Sequence, residues 1–241
     1  MRIHIIQHLA CGSIGNIAAW LAKRNDVVSV TCLETESTAS LPAVNELDFL
    51  IVLGGAMDLT SANAETDYPT LAAEQAYIKA AIQQGCRVLG ICLGGQLVAQ
   101  QLGATIMRNE FKEEGWFDIL STAPASAPLQ LGWRNKVFHS HKNTFSLPEG
   151  AVALAQSEAC PLQAFLWGNK VLALQCHLEV TRADVEAMLA MPSSNKDLPS
   201  AESSGFYVHT AAKINSATDA DYAHLEQLMA KILDHLAEQT A

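Results

Sequence analysis

Apolar residues recur along this chain in two rhythms, one long and one short. Residues 2–8 alternate as a strand does, and residues 13–23 then place Ile14, Ile17, Ala18 and Leu21 at helical spacing. Residues 26–33 read as a second strand, and residues 41–47 as a connector containing Pro42. Phe49-Leu50-Ile51-Val52-Leu53 is an uninterrupted apolar run closed by Gly54-Gly55, which predicts a central parallel strand buried on both faces. Tyr68-Pro69 opens a long helix through Gln84, with Pro69 in its first turn and Gly85 at its C-cap. Residues 87–91 supply the next strand. This alternation predicts an α/β fold with a doubly wound, mostly parallel central sheet flanked by helices. Beyond residue 104 the rhythm shortens. Residues 104–108, 116–121, 136–139, 152–156, 162–167 and 171–175 read as additional short antiparallel strands, with turns at Pro148-Glu149-Gly150 and Gly168-Asn169-Lys170. Residues 182–190 and 219–239 close the chain as helices, with an exposed loop at 192–204. No repeat or boundary divides the sequence, so residues 1–241 are expected to form a single domain.

Composition narrows the function classes. The chain has 241 residues, 49% of them apolar, enough to build a substantial core. A net charge of −10, from 25 acidic and 15 basic residues, argues against nucleic acid or an anionic membrane as partner. The N-terminus is too short and polar for a signal peptide, and no apolar run is long enough to span a bilayer. A soluble, cytoplasmic protein is expected. The cysteines Cys11, Cys32, Cys86, Cys92, Cys160 and Cys176 show neither a disulfide framework nor zinc spacing. All but Cys92 read as small apolar residues. His139 and His141 lie two apart, a metal pair by type, yet such residues more commonly serve structure; neither metal nor cofactor is expected.

Cys92 differs because of its neighbours. Val88-Leu89-Gly90-Ile91-Cys92-Leu93-Gly94-Gly95-Gln96 has the strand–turn–helix pattern of a nucleophile elbow with cysteine in place of serine. Gly90 and Gly94 leave room for the tight turn, and a helix N-terminus beneath an exposed sulfur favours the thiolate. A base and an orienter for it appear in Gln175-Cys176-His177-Leu178-Glu179, where strand alternation puts His177 and Glu179 on one face. The backbone N–H of Leu93, with a second donor at Gly55, would make an oxyanion hole. Each signal taken alone also fits ordinary packing; together, in the order Cys…His…Glu, they point to a cysteine hydrolase.

Gly90-Ile91-Cys92-Leu93-Gly94-Gly95-Gln96, with Gly54-Gly55 upstream and His177-x-Glu179 downstream, resembles the class I glutamine amidotransferases. More narrowly it is similar to free-standing members like the amidotransferase domain of GMP synthase. The core motifs span residues 45–190, including Glu114-Gly115-Trp116 and His141…Thr144-Phe145…Leu147-Pro148, with a helical extension over 205–241. The resemblance implies a flavodoxin-like fold in which Cys92 attacks the side-chain amide of glutamine, releasing ammonia and leaving a γ-glutamyl thioester. His177 would be base and then acid, with Glu179 its orienter. Gly55 and Leu93 would hold the oxyanion, and Gln96, Gly54, His141 and Lys142 would contact substrate.

Leu178 stands where relatives carry proline, and Lys142-Asn143 where they often carry glycine and aspartate. No synthase domain is expected within these 241 residues. The implied partners are glutamine or another γ-glutamyl compound and a separate synthase subunit that accepts ammonia. Two alternatives stand beside this: a γ-glutamyl peptidase or transferase, and a non-catalytic regulatory protein on the same fold.

Overall fold

The computed structural model describes residues 1–9, 13–190 and 206–238. Among them, nine strands form one sheet: β1 (Arg2–Gln7), β2 (Val27–Cys32), β3 (Phe49–Val52), β4 (Arg87–Ile91), β5 (Ile106–Ser121), β6 (Arg134–Phe145), β7 (Ala151–Gln156), β8 (Ala164–Trp167) and β9 (Val171–Leu174). The order is β2-β1-β3-β4-β9-β8-β7-β5-β6. From β2 through β9 every pairing is parallel; from β9 to β6 every pairing is antiparallel. The helices are α1 (Asn16–Leu21), α2 (Ala64–Asp67), α3 (Leu71–Gln83), α4 (Leu93–Gln101), α5 (Arg182–Ala190), α6 (Ala211–Asn215) and α7 (Asp219–Glu238).

Strand alternation divides the core into two. Ile3, Ile5, Phe49, Ile51, Leu89 and Ile91 face one side, in a cluster with Ile17 of α1, Val185 of α5 and Met229, Ile232 and Leu233 of α7. Ile6, Leu50, Val52 and Val88 face the other side, against Ile78 of α3 and Leu97 of α4. Helices thus flank both faces, as the doubly wound pattern predicts. All four residues of β3 are buried, which is why its sequence is apolar without alternation.

Three details differ from expectation. Pro69 does not open the long helix. Tyr68 ends α2 at φ −128° and ψ 81°, because the residue before proline is driven out of the helical region, and α3 starts at Leu71. Gly85 does follow α3 in the left-handed conformation, at φ 75°. The two short strands expected within 104–121 are one 16-residue strand, β5, bulged between Arg108 and Glu113. Its partner β6 is likewise longer than expected and carries His141, Lys142 and Asn143 as strand residues rather than a loop. The loop expected at 192–204 lies outside the described residues. No described helix is long and apolar enough to cross a membrane.

His4 is buried on β1, with Nδ1 bonded to the Ser29 hydroxyl at 2.8 Å. Burial lowers its pKa from 6.5 to about 4, against a weaker upward pull from Glu36. The unfolded chain therefore takes up this proton first as pH falls. His4's contribution to stability is full above pH 6.5 and is lost progressively towards pH 4. Urea unfolding midpoints across that window should fall less steeply for His4→Gln than for the unmodified chain.

Candidate active site

The sequence places a cysteine between β4 and α4, and the backbone there is unusual. Cys92 has φ 52° and ψ −109°, and it is the only non-glycine residue at positive φ among the described residues. Such a conformation costs about 1–3 kcal/mol and persists only where its surroundings enforce it. The Cys92 N–H donates to the Leu174 carbonyl at 2.8 Å, and its own carbonyl accepts from Gln96 at 2.9 Å. Gly90 and Gly94 pack backbone to backbone: a Cβ on Gly94 would overlap the Val52 carbonyl, and one on Gly90 would overlap Gly94. The helix N-terminus therefore sits directly beneath the sulfur. Cys92 is only 8% exposed, so its sulfur is reached through cavities rather than standing open to bulk solvent as expected.

His177 and Glu179 follow β9 rather than extend it. A single bridge joins His177 to Phe138 of β6, with the His177 N–H donating to the Phe138 carbonyl at 2.8 Å. His177 Nδ1 and Glu179 Oε1 are 2.6 Å apart, and both side chains are buried. Leu178 between them packs into the core. The first turn of α1 clamps this segment: Asn16 N–H donates to the Glu179 carbonyl at 2.7 Å, and Asn16 Nδ2 donates to the Leu178 carbonyl at 2.9 Å. Burial alone would lower the His177 pKa. The Glu179 carboxylate and the Cys92 sulfur outweigh that and raise it well above the ordinary value. With Nδ1 engaged by Glu179, Nε2 is the nitrogen left for Cys92.

Gly54 lies against both groups. A Cβ there would sit 3.3 Å from His177 Cε1 and 3.6 Å from Cys92 Cβ. Gly55 packs against Leu93 and against His8, a residue that no sequence motif singles out. His8 Nδ1 lies 3.1 Å from the Leu53 carbonyl and 3.2 Å from the Gly54 carbonyl, while Nε2 meets the fully buried Glu74 at 2.8 Å. Both nitrogens face acceptors. Burial would lower the His8 pKa, but Glu74 and the two carbonyls raise it. A polar Glu74 on the buried face of α3 is the one hint of this pair that the sequence offers.

Two cavities meet at Cys92. One, about 220 Å³, is polar and lined by Gln96, Lys112, Glu114, Ser140, Lys142 and Asn143 among others. The other, about 240 Å³, runs past His8, Val180, Ala187 and Met188. Of the expected substrate contacts, Gln96 lies on the polar cavity with Nε2 bonded to Gln175 at 3.1 Å. Lys142 rims it 3.4 Å from Asp58, which also accepts from Asn143 at 2.7 Å. Asp58 is held well below the usual carboxylate range: burial opposes this, but bonds from Thr60 and Asn143 and the Lys142 charge prevail. His141 forms part of the wall, but its ring nitrogens are already engaged by the Asn143 carbonyl and Glu113, which leaves little for a substrate. Trp116 is buried, whereas Trp133 is 77% exposed.

An open α/β sheet with a cysteine elbow, a histidine–glutamate pair and a shared crevice at the strand ends defines a recognisable class. The profile of that class, glutamine amidotransferase class-I, matches residues 11–190, and the chain belongs to this family. It is 31% identical to the putative glutamine amidotransferase-like protein YfeJ of Salmonella typhimurium, over 98% of this chain and 97% of that one. A solved glutamine amidotransferase from Methylobacillus flagellatus superposes with a TM-score of 0.88 at 27% identity, over 98% of this chain and 94% of the other. The glutamine-hydrolysing GMP synthase of Corynebacterium jeikeium is 28% identical over 65% of this chain, which spans only 27% of that longer protein.

Two substitutions test the geometry. Gly94→Ala should cost about 2 kcal/mol or more, read as a lower denaturation midpoint, because neither the turn nor the Val52 strand can retreat. Glu179→Gln should lower the His177 titration midpoint, followed by imidazole proton resonances, since it removes the carboxylate charge that raises it.

Proposed function

We propose that the chain hydrolyses the γ-carboxamide of glutamine, with Cys92 as nucleophile. The observation that carries this is the junction of the strained Cys92 elbow, the buried His177–Glu179 pair and a polar cavity of about 220 Å³. The Cys92 thiolate attacks the amide carbon and forms a C–S bond. The resulting oxyanion is taken up by the backbone N–H groups of Leu93, at the first turn of α4, and Gly55. His177, as imidazolium, gives its proton to the amide nitrogen, the C–N bond breaks, and ammonia leaves. Neutral His177 then takes a proton from water, whose oxygen displaces Cys92 and releases glutamate. Glu179 positions the imidazole throughout.

The polar cavity supports glutamine as substrate. Lys112 and Lys142 suit an α-carboxylate, and Glu114 suits an α-ammonium group; Gln96 lies on the same cavity beside the sulfur. Ammonia released at Cys92 would pass to a separate synthase subunit.

A second reading rests on the less polar cavity of about 240 Å³ on the other side of Cys92. It has room for a leaving group larger than ammonia, which suits a γ-glutamyl peptide or conjugate. Relative kcat/KM for glutamine and for γ-glutamyl dipeptides separates the two, faster turnover of dipeptides favouring the second.

Cys92→Ala should reduce γ-glutamyl amide hydrolysis by at least about 10³-fold with the fold intact. A glutamine-like electrophile should label Cys92 in the unmodified chain. Undiminished hydrolysis by Cys92→Ala would refute both readings.

A further inference from the structure

Beside Ser140, three side chains converge that the proposed chemistry does not use. Glu113 on β5 and His139 and His141 on β6 are buried, and one ligand atom from each lies within 4.8 Å of the other two. His141 Nε2 is 3.0 Å from Glu113 Oε2, and His139 Nδ1 is 3.8 Å from Glu113 Oε1.

The hydrogen bonds around the cluster decide what the atoms at its centre are. His141 Nδ1 faces the Asn143 carbonyl at 3.0 Å, an acceptor only, so this nitrogen must carry the proton. In neutral His141 the Nε2 lone pair then points at a carboxylate oxygen. His139 is fully buried. The Phe117 carbonyl faces its ring without forming a full hydrogen bond, and neither ring nitrogen has a hydrogen-bond partner among the described residues. Glu113 is fully buried as well. Glu113 Oε1 also has no hydrogen-bond partner among the described residues. One proton placed between His141 and Glu113 Oε2 relieves a single contact. It leaves His139 and Glu113 Oε1 buried and unmatched, each an unpaired polar group of the kind that costs about 1–3 kcal/mol.

We propose that Glu113, His139 and His141 form a binding site for a divalent transition-metal ion of the zinc type. A single cation among the three groups meets the unmatched atoms at the centre of the cluster at once. Tetrahedral coordination at about 2.0–2.2 Å spaces ligand atoms about 3.3–3.5 Å apart. The contacts of 3.0 and 3.8 Å straddle that spacing, so small side-chain adjustments suffice. Two imidazoles select against Mg²⁺ and Ca²⁺, which prefer all-oxygen sites. The outer groups are those of a metal centre: the Asn143 carbonyl fixes the His141 tautomer, and Gln163 Nε2 donates to Glu113 Oε2 at 2.6 Å. The Gln163 carboxamide lies beside the fourth position, 3.4 Å from His141 Nε2. The ion's role is structural. It ties β5 to β6 on both sides of Ser140, whose carbonyl faces the Cys92 sulfur at 3.9 Å. Histidine spacing alone does not favour a metal here; Glu113, brought across the ribbon by strand pairing, changes that balance.

The test uses the full-length protein stripped with a chelator, then incubated with Zn²⁺ or Co²⁺ and desalted. The expected results are about one retained ion per chain by elemental analysis, visible d–d absorption with Co²⁺, and a raised Tm with Zn²⁺ but not Mg²⁺. His139→Gln and Glu113→Gln should retain none. Should either variant fail to fold, the Co²⁺ spectrum of the unmodified chain decides, since nitrogen–oxygen tetrahedral coordination gives a band of characteristic intensity. Failure of the stripped chain to retain either ion, or equal retention by a folded His139→Gln, would overturn the proposal. Neither outcome depends on glutaminase activity, so loss of the amidotransferase reading leaves this test intact.

Discussion

The positive φ of Cys92 is the constraint on which the rest of the site depends. A cysteine gains nothing locally from this conformation, so the energy that enforces it comes from elsewhere. It comes from β9, whose Leu174 carbonyl takes the Cys92 N–H, and from glycines that let α4 approach β3 and β9 without side chains between them. The turn aims the sulfur out of the sheet and aligns the helix N-terminus with it in one step. Strain at the sulfur is thus sustained by packing across three strands, and its relief would disperse the site rather than merely loosen one residue.

Two buried histidine–carboxylate pairs flank that turn. His177–Glu179 lies on one side of Gly54, and His8–Glu74 lies beneath the Gly54–Gly55 backbone. Buried ion pairs seldom offset their desolvation better than apolar packing would, so their value here is positional. The first holds an imidazole beside the sulfur. The second grips the carbonyls of Leu53 and Gly54 and so limits how the next peptide N–H can turn.

The parallel half of the fold is legible in the sequence because its strands are buried on both faces and must be apolar. Residues 49–53 can hardly be read otherwise. The elbow is legible because only glycine tolerates the close approaches at 90 and 94. The β5–β6 ribbon is not. Arg108, Asn109, Glu110, Lys112 and Glu113 break the alternation, yet the strand forms because it pairs on both sides of its bulge with β6. Consequently Lys142 and Asn143 read as loop, and the meeting of Glu113 with His139 and His141 has no signature in the sequence. His8 is equally hidden: its partner Glu74 is 66 residues away, and neither carries a motif. Contacts made across an antiparallel ribbon or between a strand and a distant helix leave no local period to detect.

The ribbon also divides labour within the chain. The sulfur, its imidazole and the glutamate hang on the parallel sheet and on the first turn of α1. Ser140, Lys142 and Asn143 reach the crevice from the ribbon, which joins the Cys92 side through the Phe138–His177 bridge. Its bulge between Arg108 and Glu113 sets which residues of β6 face inward. Insertion or deletion of one residue there would exchange the inward and outward sets while leaving the elbow untouched. A chain built this way can change the lining of its crevice by re-indexing one hairpin, while the cysteine elbow keeps its place.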